Sequence, residues 1–195
     1  MKGSFSPPGD KSISHRLALM SLLARGEVEL TNMAPGEDVR SSLKAAALLG
    51  STVAFDRDKV RIKGAEGRLK SEADIDCGNS GTTMRLIMGL LAGRPGTYTL
   101  DGDASLRKRP MERVAVPLRR MGAQVDCRDG RAPVKVSGAE LKGISYDPPA
   151  ASAQLKSAVL LAGLQAEGPT VVRELRPSRD HTERLIELFG GRISK

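Results

Sequence analysis

Two prolines, a glycine, two hydroxyls and two cations share the run Pro7-Pro8-Gly9-Asp10-Lys11-Ser12-Ile13-Ser14-His15-Arg16. The proline–glycine turn ends a strand, and Ser12 or Ser14 can cap the helix that follows. A helix start presents unpaired backbone N–H groups and the positive end of the helix dipole. Lys11 and Arg16 add charge-assisted donors, which completes what a phosphate or carboxylate requires. A capped helix with two solvated cations would use the same residues. The glycine spacing is not that of a P-loop.

The same chemistry recurs in Gly78-Asn79-Ser80-Gly81-Thr82-Thr83-Met84-Arg85. Two glycines permit close backbone approach, Asn79 can hydrogen-bond a ligand, and Thr82 or Thr83 can cap. Arg85 falls early in its helix, where the dipole disfavours a cation, so an anionic ligand or an internal ion pair must offset it. Leu106-Arg107-Lys108-Arg109-Pro110 sets three cations before a proline that can open a helix; a solvated basic loop is the other reading. A third set, Ala151-Ser152-Ala153-Gln154 and Ser178-Arg179-Asp180-His181, offers polar groups at equivalent positions. His15 and His181 are the only histidines, and neither makes a convincing nucleophile–base pair. No run of His, Cys and carboxylates has metal-ligand spacing, so no metal is expected.

These segments belong to a repeated element. Residues 7–32, 77–102 and 148–175 each read as a small-residue turn, an apolar helix with an early cation, a glycine-containing break and a strand. The early cations Arg16, Arg85 and Lys156 are 69 and 71 residues apart. A fixed period means one supersecondary unit used repeatedly. A second helix follows in each unit, at 38–50, 111–122 and 182–189. Gly50 and Gly122 suit left-handed ends for the first two. Paired strands follow at 51–55 with 59–63 and at 123–128 with 132–137, around turns that read as hairpins. The third unit has a first strand at 192–194 and no second one, which leaves a sheet edge unpaired. Lys195 therefore reads as a break within a longer chain, with a truncated capping repeat as the alternative. If the repeats surround a pseudo-threefold axis, the three helix starts converge on one positive pocket for a ligand with several anionic groups.

At 195 residues and 39% hydrophobic content the chain can bury a sizeable core. Aromatics make up 3% and tryptophan is absent, so that core must be Leu, Val, Ile, Ala and Met. No apolar run reaches the roughly 18 residues of a membrane span, and the first residues lack a secretory h-region. Cys77 and Cys127 form no disulfide framework and suit a reducing cytoplasm. The net charge of +8 fits nucleic acid or a small anionic substrate. Few aromatics are available for base stacking, which favours the small anion.

PGDKSISHR (8–16), GNSGTTMR (78–85), the KRP loop (108–110), SAQLKSAVLLAGL (152–164) and SRDHTER (178–184) resemble, in order, the 5-enolpyruvylshikimate-3-phosphate synthase family. The likeness covers essentially the whole chain and about the first half of the family's length. It is closest to the bacterial SAQLKSA/SRDHTER subtype. It implies an α/β fold, a pseudo-threefold repeat of βαβαββ units of the enolpyruvyl transferase type, with the third unit incomplete. Residues 11–195 are expected to form one domain, with units at about 11–70, 71–142 and 143–195. Residues 1–10 are expected to be an N-terminal strand and crossover.

The implied activity is a transferase reaction of the shikimate pathway to aromatic amino acids. The enolpyruvyl group of phosphoenolpyruvate passes to the 5-hydroxyl of shikimate 3-phosphate, and phosphate is released. The resemblance implies no cofactor, no nucleic-acid or membrane partner, a cytoplasmic location, and glyphosate as an inhibitor at the phosphoenolpyruvate site. It maps Lys11, Ser12, Arg16, Ser152, Ala153, Gln154 and Arg179 to shikimate 3-phosphate. Lys11, Asn79, Gly81, Thr82, Arg109 and Gln154 map to phosphoenolpyruvate. Ser178 is a weaker candidate. Lys11, between the substrates, is the residue of this chain with an implied catalytic role. The main acid–base carboxylates belong to the family's second half, so the chain is expected to bind substrate without turnover. The sister enzyme, UDP-N-acetylglucosamine enolpyruvyl transferase, has Lys-Asn where this chain has Lys11-Ser12. A non-catalytic anion-binding module is the reading from another class.

Overall fold

The computed structural model describes residues 7–65 and 69–194, so residues 1–6 of the expected crossover lie outside it. The first unit contains α1 (Lys11–Met20), β1 (Glu27–Thr31), α2 (Glu37–Leu48), β2 (Thr52–Asp56) and β3 (Lys59–Lys63). The second contains β4 (Glu72–Asp76), α3 (Gly81–Ala92), β5 (Thr97–Asp101), α4 (Glu112–Met121), β6 (Gln124–Arg128) and β7 (Arg131–Ser137). The third contains β8 (Leu141–Lys142), β9 (Ser145–Tyr146), α5 (Ala153–Gly163), β10 (Ala166–Glu167), β11 (Val171–Val172) and α6 (His181–Leu188). This is the repeated α/β architecture that the periodicity predicts.

The closing strand of each complete unit lies inside its sheet. The orders are β1-β3-β2 and β4-β5-β7-β6, and the short strands form the pairs β10-β8 and β11-β9. β3 is antiparallel to β1 and β2, with Val60 opposite Leu30 and Ile62 opposite Val28 and Val53. β7 is antiparallel to β5 and β6, with Val136 opposite Tyr98 and Val125. Because strand side chains alternate between faces, Val60, Ile62, Val134 and Val136 all face the core.

That arrangement corrects the strand expected at 192–194, which is not in β structure. In the first two units the equivalent strands β2 and β6 pair with the closing strand alone. Among the described residues the third unit has no closing strand, so residues 192–194 have no ladder to join.

The helices bear on the site most directly. In α3, residues 83–92 are all buried, as expected of a helix apolar on every side. Its Gly89 touches α5: a Cβ there would stand 2.2 Å from the Ala158 carbonyl oxygen, so only glycine permits this approach. α4 instead buries one stripe, Val114, Leu118 and Met121, and ends at Gly122 with φ of 115°. Two cap expectations are corrected. Asp10, not Ser12 or Ser14, caps α1 by accepting from Ile13 N at 2.8 Å. Ser80, not Thr82 or Thr83, caps α3 by accepting from Thr83 N at 3.1 Å. In both cases the residue with extended backbone just before the first turn can reach back, whereas a hydroxyl already inside the helix cannot.

Candidate active site

At the start of α1 the Lys11 side chain is 63% exposed, and its ammonium forms an ion pair with Asp38. Asp38 comes from the first turn of α2. Burial pushes the Asp38 carboxyl up, but Lys11 and His15 outweigh it and hold the group below its ordinary value. His15 lies 3.6 Å from the same carboxylate and is fully buried. Burial lowers His15 to about 4 despite the pull of Asp38, so the ring is neutral at pH 7. Its Nδ1 lies 2.8 Å from Ser42 Oγ, which is 2.7 Å from Thr83 Oγ1. Thr83 Oγ1 donates to Ser80 Oγ at 2.7 Å. One polar chain thus runs from α1 through α2 to the cap of α3.

The start of α3 is strongly positive. Arg85 is 5% exposed, and burial, with Arg113 and Arg109 nearby, lowers it to about 10, still charged at pH 7. It donates to Gln154 Oε1 at 2.6 Å, Pro110 O at 3.1 Å and Gly81 O at 3.5 Å. Its Nε is buried without a hydrogen-bond partner. Neither the Arg85 partners nor the two neighbouring arginines supply a compensating negative charge. Arg109 donates to Asn79 Oδ1, and Asn79 Nδ2 donates to Asp103 Oδ2 at 2.7 Å. Gly81 adjoins these guanidinium groups: a Cβ there would lie 2.8 Å from Arg85 Nη1 and 3.3 Å from Arg109 Nη1.

At the start of α5, Ser152 caps by accepting from Leu155 N at 3.4 Å. Gln154 accepts from Arg85 and donates to Thr82 Oγ1 at 2.9 Å, joining α5 to α3. Arg16, only 1% exposed, joins α1 to α5 and α6. It donates to Ser157 Oγ at 2.7 Å, Thr182 Oγ1 at 2.6 Å and Ser12 Oγ at 2.6 Å. The three helix starts anticipated to converge are therefore tied in a ring by side-chain hydrogen bonds.

Two clusters result. Gly81, Gln154 and Arg109 adjoin Arg85, with Thr82 held by Gln154 and Asn79 by Arg109, while Ser12 and Arg16 meet α5 and α6. Lys11 sits at the rim with Asp38. Arg179 is exposed; burial holds the neighbouring Arg16 below its ordinary value, and the Arg179 charge adds to that lowering. The Ser178 hydroxyl is buried without a hydrogen-bond partner. Ser152 and Ala153 enter through the cap and backbone of α5. Lys156, the third repeat cation, ion-pairs with Glu174 and Glu183, each at 2.7 Å, so it adds no free charge. Asp38, Ser42 and Thr182 are missing from the sequence-derived site set. The acid in the first turn of the second helix gives a local hint of Asp38; its pairing with Lys11 has no local signal.

The comparisons agree with this geometry. The family model for EPSP synthase (3-phosphoshikimate 1-carboxyvinyltransferase) matches residues 1–195. The 3-phosphoshikimate 1-carboxyvinyltransferase of Acidithiobacillus ferrooxidans is 48% identical over 198 residues, covering 100% of this chain and 46% of the relative. The Bacillus subtilis protein of the same name is 49% identical over 199 residues, with the same coverage of 100% and 46%. The solved EPSP synthase from Acinetobacter baumannii superimposes with a TM-score of 0.94 at 46% identity, covering 99% of this chain and 45% of that one. The chain thus spans about half the length of the curated relatives it matches. With the repeated α/β units, the ring of helix starts and the family match over residues 1–195 in agreement, the chain belongs to the EPSP synthase family.

Proposed function

We propose that this chain supplies the substrate-binding half of a 3-phosphoshikimate 1-carboxyvinyltransferase, with residues 11–195 as one domain preceded by a crossover at 1–10. The carrying observation is Arg85: a buried guanidinium with a free Nε, two further arginines nearby and neutral hydrogen-bond partners. A charge desolvated in that way favours an anion beside it. Two phosphorylated substrates, shikimate 3-phosphate and phosphoenolpyruvate, fit a positive site beside three helix starts.

In this reading Asn79, Gly81, Thr82 and Arg109 hold phosphoenolpyruvate, and Gln154 touches both substrates. Ser12, Ser152, Ala153 and Arg179 hold shikimate 3-phosphate, with Arg16 fixing the Ser12 hydroxyl. Lys11 stands between the ligands. The 5-hydroxyl gives its proton to a base as its oxygen bonds to C2 of phosphoenolpyruvate and a proton adds to C3. The C2–O bond to phosphate then breaks and a proton leaves C3. Orientation and stabilised negative charge lower the barrier. The remaining acid–base groups come from the family's second half. Glyphosate takes the phosphoenolpyruvate position. We place the protein in the cytoplasm, in keeping with the free thiols Cys77 and Cys127. No helix of the described residues is long and apolar enough to cross a membrane.

The test is phosphate release from shikimate 3-phosphate plus phosphoenolpyruvate, with titration calorimetry of shikimate 3-phosphate alongside. The isolated chain is expected to bind without turnover, and turnover is expected once a separately made C-terminal half is added. Absence of both binding and reconstituted release would overturn the assignment.

A further inference from the structure

Of the two histidines, His15 joins the polar chain around Asp38, whereas His181 stands apart from it. His181 opens α6, and its side chain is 22% exposed. Its Nδ1 lies 3.2 Å from Ser12 Oγ, although the two residues are 169 positions apart. The next residue, Thr182, accepts from Arg16 Nε at 2.6 Å, so two consecutive residues of α6 grip α1. Within α1, Arg16 Nη1 donates to Ser12 Oγ at 2.6 Å and to Ser12 O at 2.9 Å. Asp10 Oδ1 lies 3.9 Å from the same Nδ1 of His181. That oxygen is held in place as the cap of α1, where it accepts from Ile13 N at 2.8 Å.

A serine hydroxyl has two acceptor sites and one proton. Arg16 fills one acceptor site of Ser12, because a guanidinium only donates. His181 governs the rest. A bare Nδ1 would take the Ser12 proton and leave the hydroxyl an acceptor, which is the wrong polarity for an anion. An Nδ1–H would fill the second acceptor site and leave the proton free. Asp10 favours the second state, since a carboxylate facing Nδ1 attracts an N–H and repels a lone pair. We propose that His181 is a positioning residue for shikimate 3-phosphate: its Nδ1–H donates to Ser12, so that the Ser12 hydroxyl donates to the anion. Arg16 and His181 then polarise one hydroxyl in the same sense, and chained donors strengthen one another. His181 acts through Ser12 and touches no ligand itself. This role rests on the proposed binding of shikimate 3-phosphate at Ser12.

The test is long-range proton–nitrogen NMR of the full chain with 15N-labelled histidine, without and with shikimate 3-phosphate. The method tells a protonated Nδ1 from a bare one, and His181→Asn removes one of the two sets of signals and so assigns them. In the complex the His181 Nδ1 is expected to carry a proton. Titration calorimetry supplies the second readout. His181→Leu should weaken shikimate 3-phosphate binding about fivefold, the effect of one lost hydrogen bond in a chain. His181→Asn, whose amide can donate from nearly the position of Nδ1, should stay within about twofold of the parent. Rescue by Asn and not by Leu separates donation from packing. A bare Nδ1 in the complex, a Leu variant that binds as tightly as the parent, or an Asn variant as weak as the Leu variant would overturn the role of His181 and leave the Ser12 assignment standing. Failure of the parent chain to bind shikimate 3-phosphate would overturn the Ser12 assignment and this role with it.

Discussion

Gln154 Oε1 accepts a hydrogen bond from Arg85 at 2.6 Å while its Nε2 donates to Thr82 at 2.9 Å, so one amide both orients a buried cation and pins two helices together. Gln154→Ala should cost about 1.5–3 kcal/mol in urea unfolding, the usual loss for a hydrogen bond to a charged group. Gln154→Glu keeps an acceptor for Arg85 but cancels its charge. It should retain stability and lower phosphoenolpyruvate affinity roughly tenfold or more. Equal affinity in the Glu variant would argue against Arg85 as the anion's partner.

Arg16 gives a second prediction. Its guanidinium spans Ser12, Ser157 and Thr182 from a fully buried position. Lysine has one compact donor head and cannot reproduce that planar fork. Arg16→Lys should destabilise the ligand-free chain by about 2–4 kcal/mol, read as a lower urea midpoint at unchanged m-value. A variant as stable as the parent, and impaired only in shikimate 3-phosphate binding, would make Arg16 a ligand contact rather than a bolt between helices.

Gly81 concerns inhibitor discrimination. The atoms nearest an added methyl are guanidinium ends, Arg85 Nη1 at 2.8 Å and Arg109 Nη1 at 3.3 Å. Those ends can move, so Gly81→Ala should fold normally with its anion donors displaced. In the two-half enzyme it should reduce glyphosate inhibition strongly and raise the KM for phosphoenolpyruvate less. Unchanged inhibition would sink the steric argument.

Acid stability follows from His15. Burial lowers it from 6.5 to about 4 in the folded chain. Between those values the unfolded chain binds a proton that the folded chain does not, so stability rises with pH through the window and falls towards pH 4. The effect amounts to roughly 3–4 kcal/mol at most. Asp38 acts in the same direction at lower pH: its contribution is present above the ordinary aspartate value and lost as pH falls through its depressed one. Melting temperatures from pH 7 down to 4 should decline, and His15→Asn should flatten the upper part of that decline. A level wild-type profile would contradict a neutral buried imidazole.

Much of the fold was legible because periodicity is local. The strand expected at 59–63 coincides with β3, and the helix expected at 38–50 is α2, Glu37–Leu48. Gly122 ends α4 as its type requires, because a positive φ costs glycine almost nothing. The caps were less legible, since Asp10, Ser12 and Ser14 are all good cap types and only the turn decides which has extended backbone. The strand expected at 192–194 is not formed, because strand character belongs to a ladder: the equivalent strands elsewhere pair with a closing strand, and among the described residues none lies beside 192–194.

Local spacing along the chain is enough to establish the threefold repeat, the helix starts rich in hydroxyls and cations, and the family. Tertiary structure alone decided what each repeat cation does. Arg16, Arg85 and Lys156 occupy equivalent places in the chain, yet Arg16 bolts helices together, Arg85 is left facing other arginines, and Lys156 is neutralised by Glu174 and Glu183. A buried cation's role is set by the partners around it. Those partners reach Arg16 from Ser157 and Thr182, 141 and 166 positions away, through packing that no local spacing encodes.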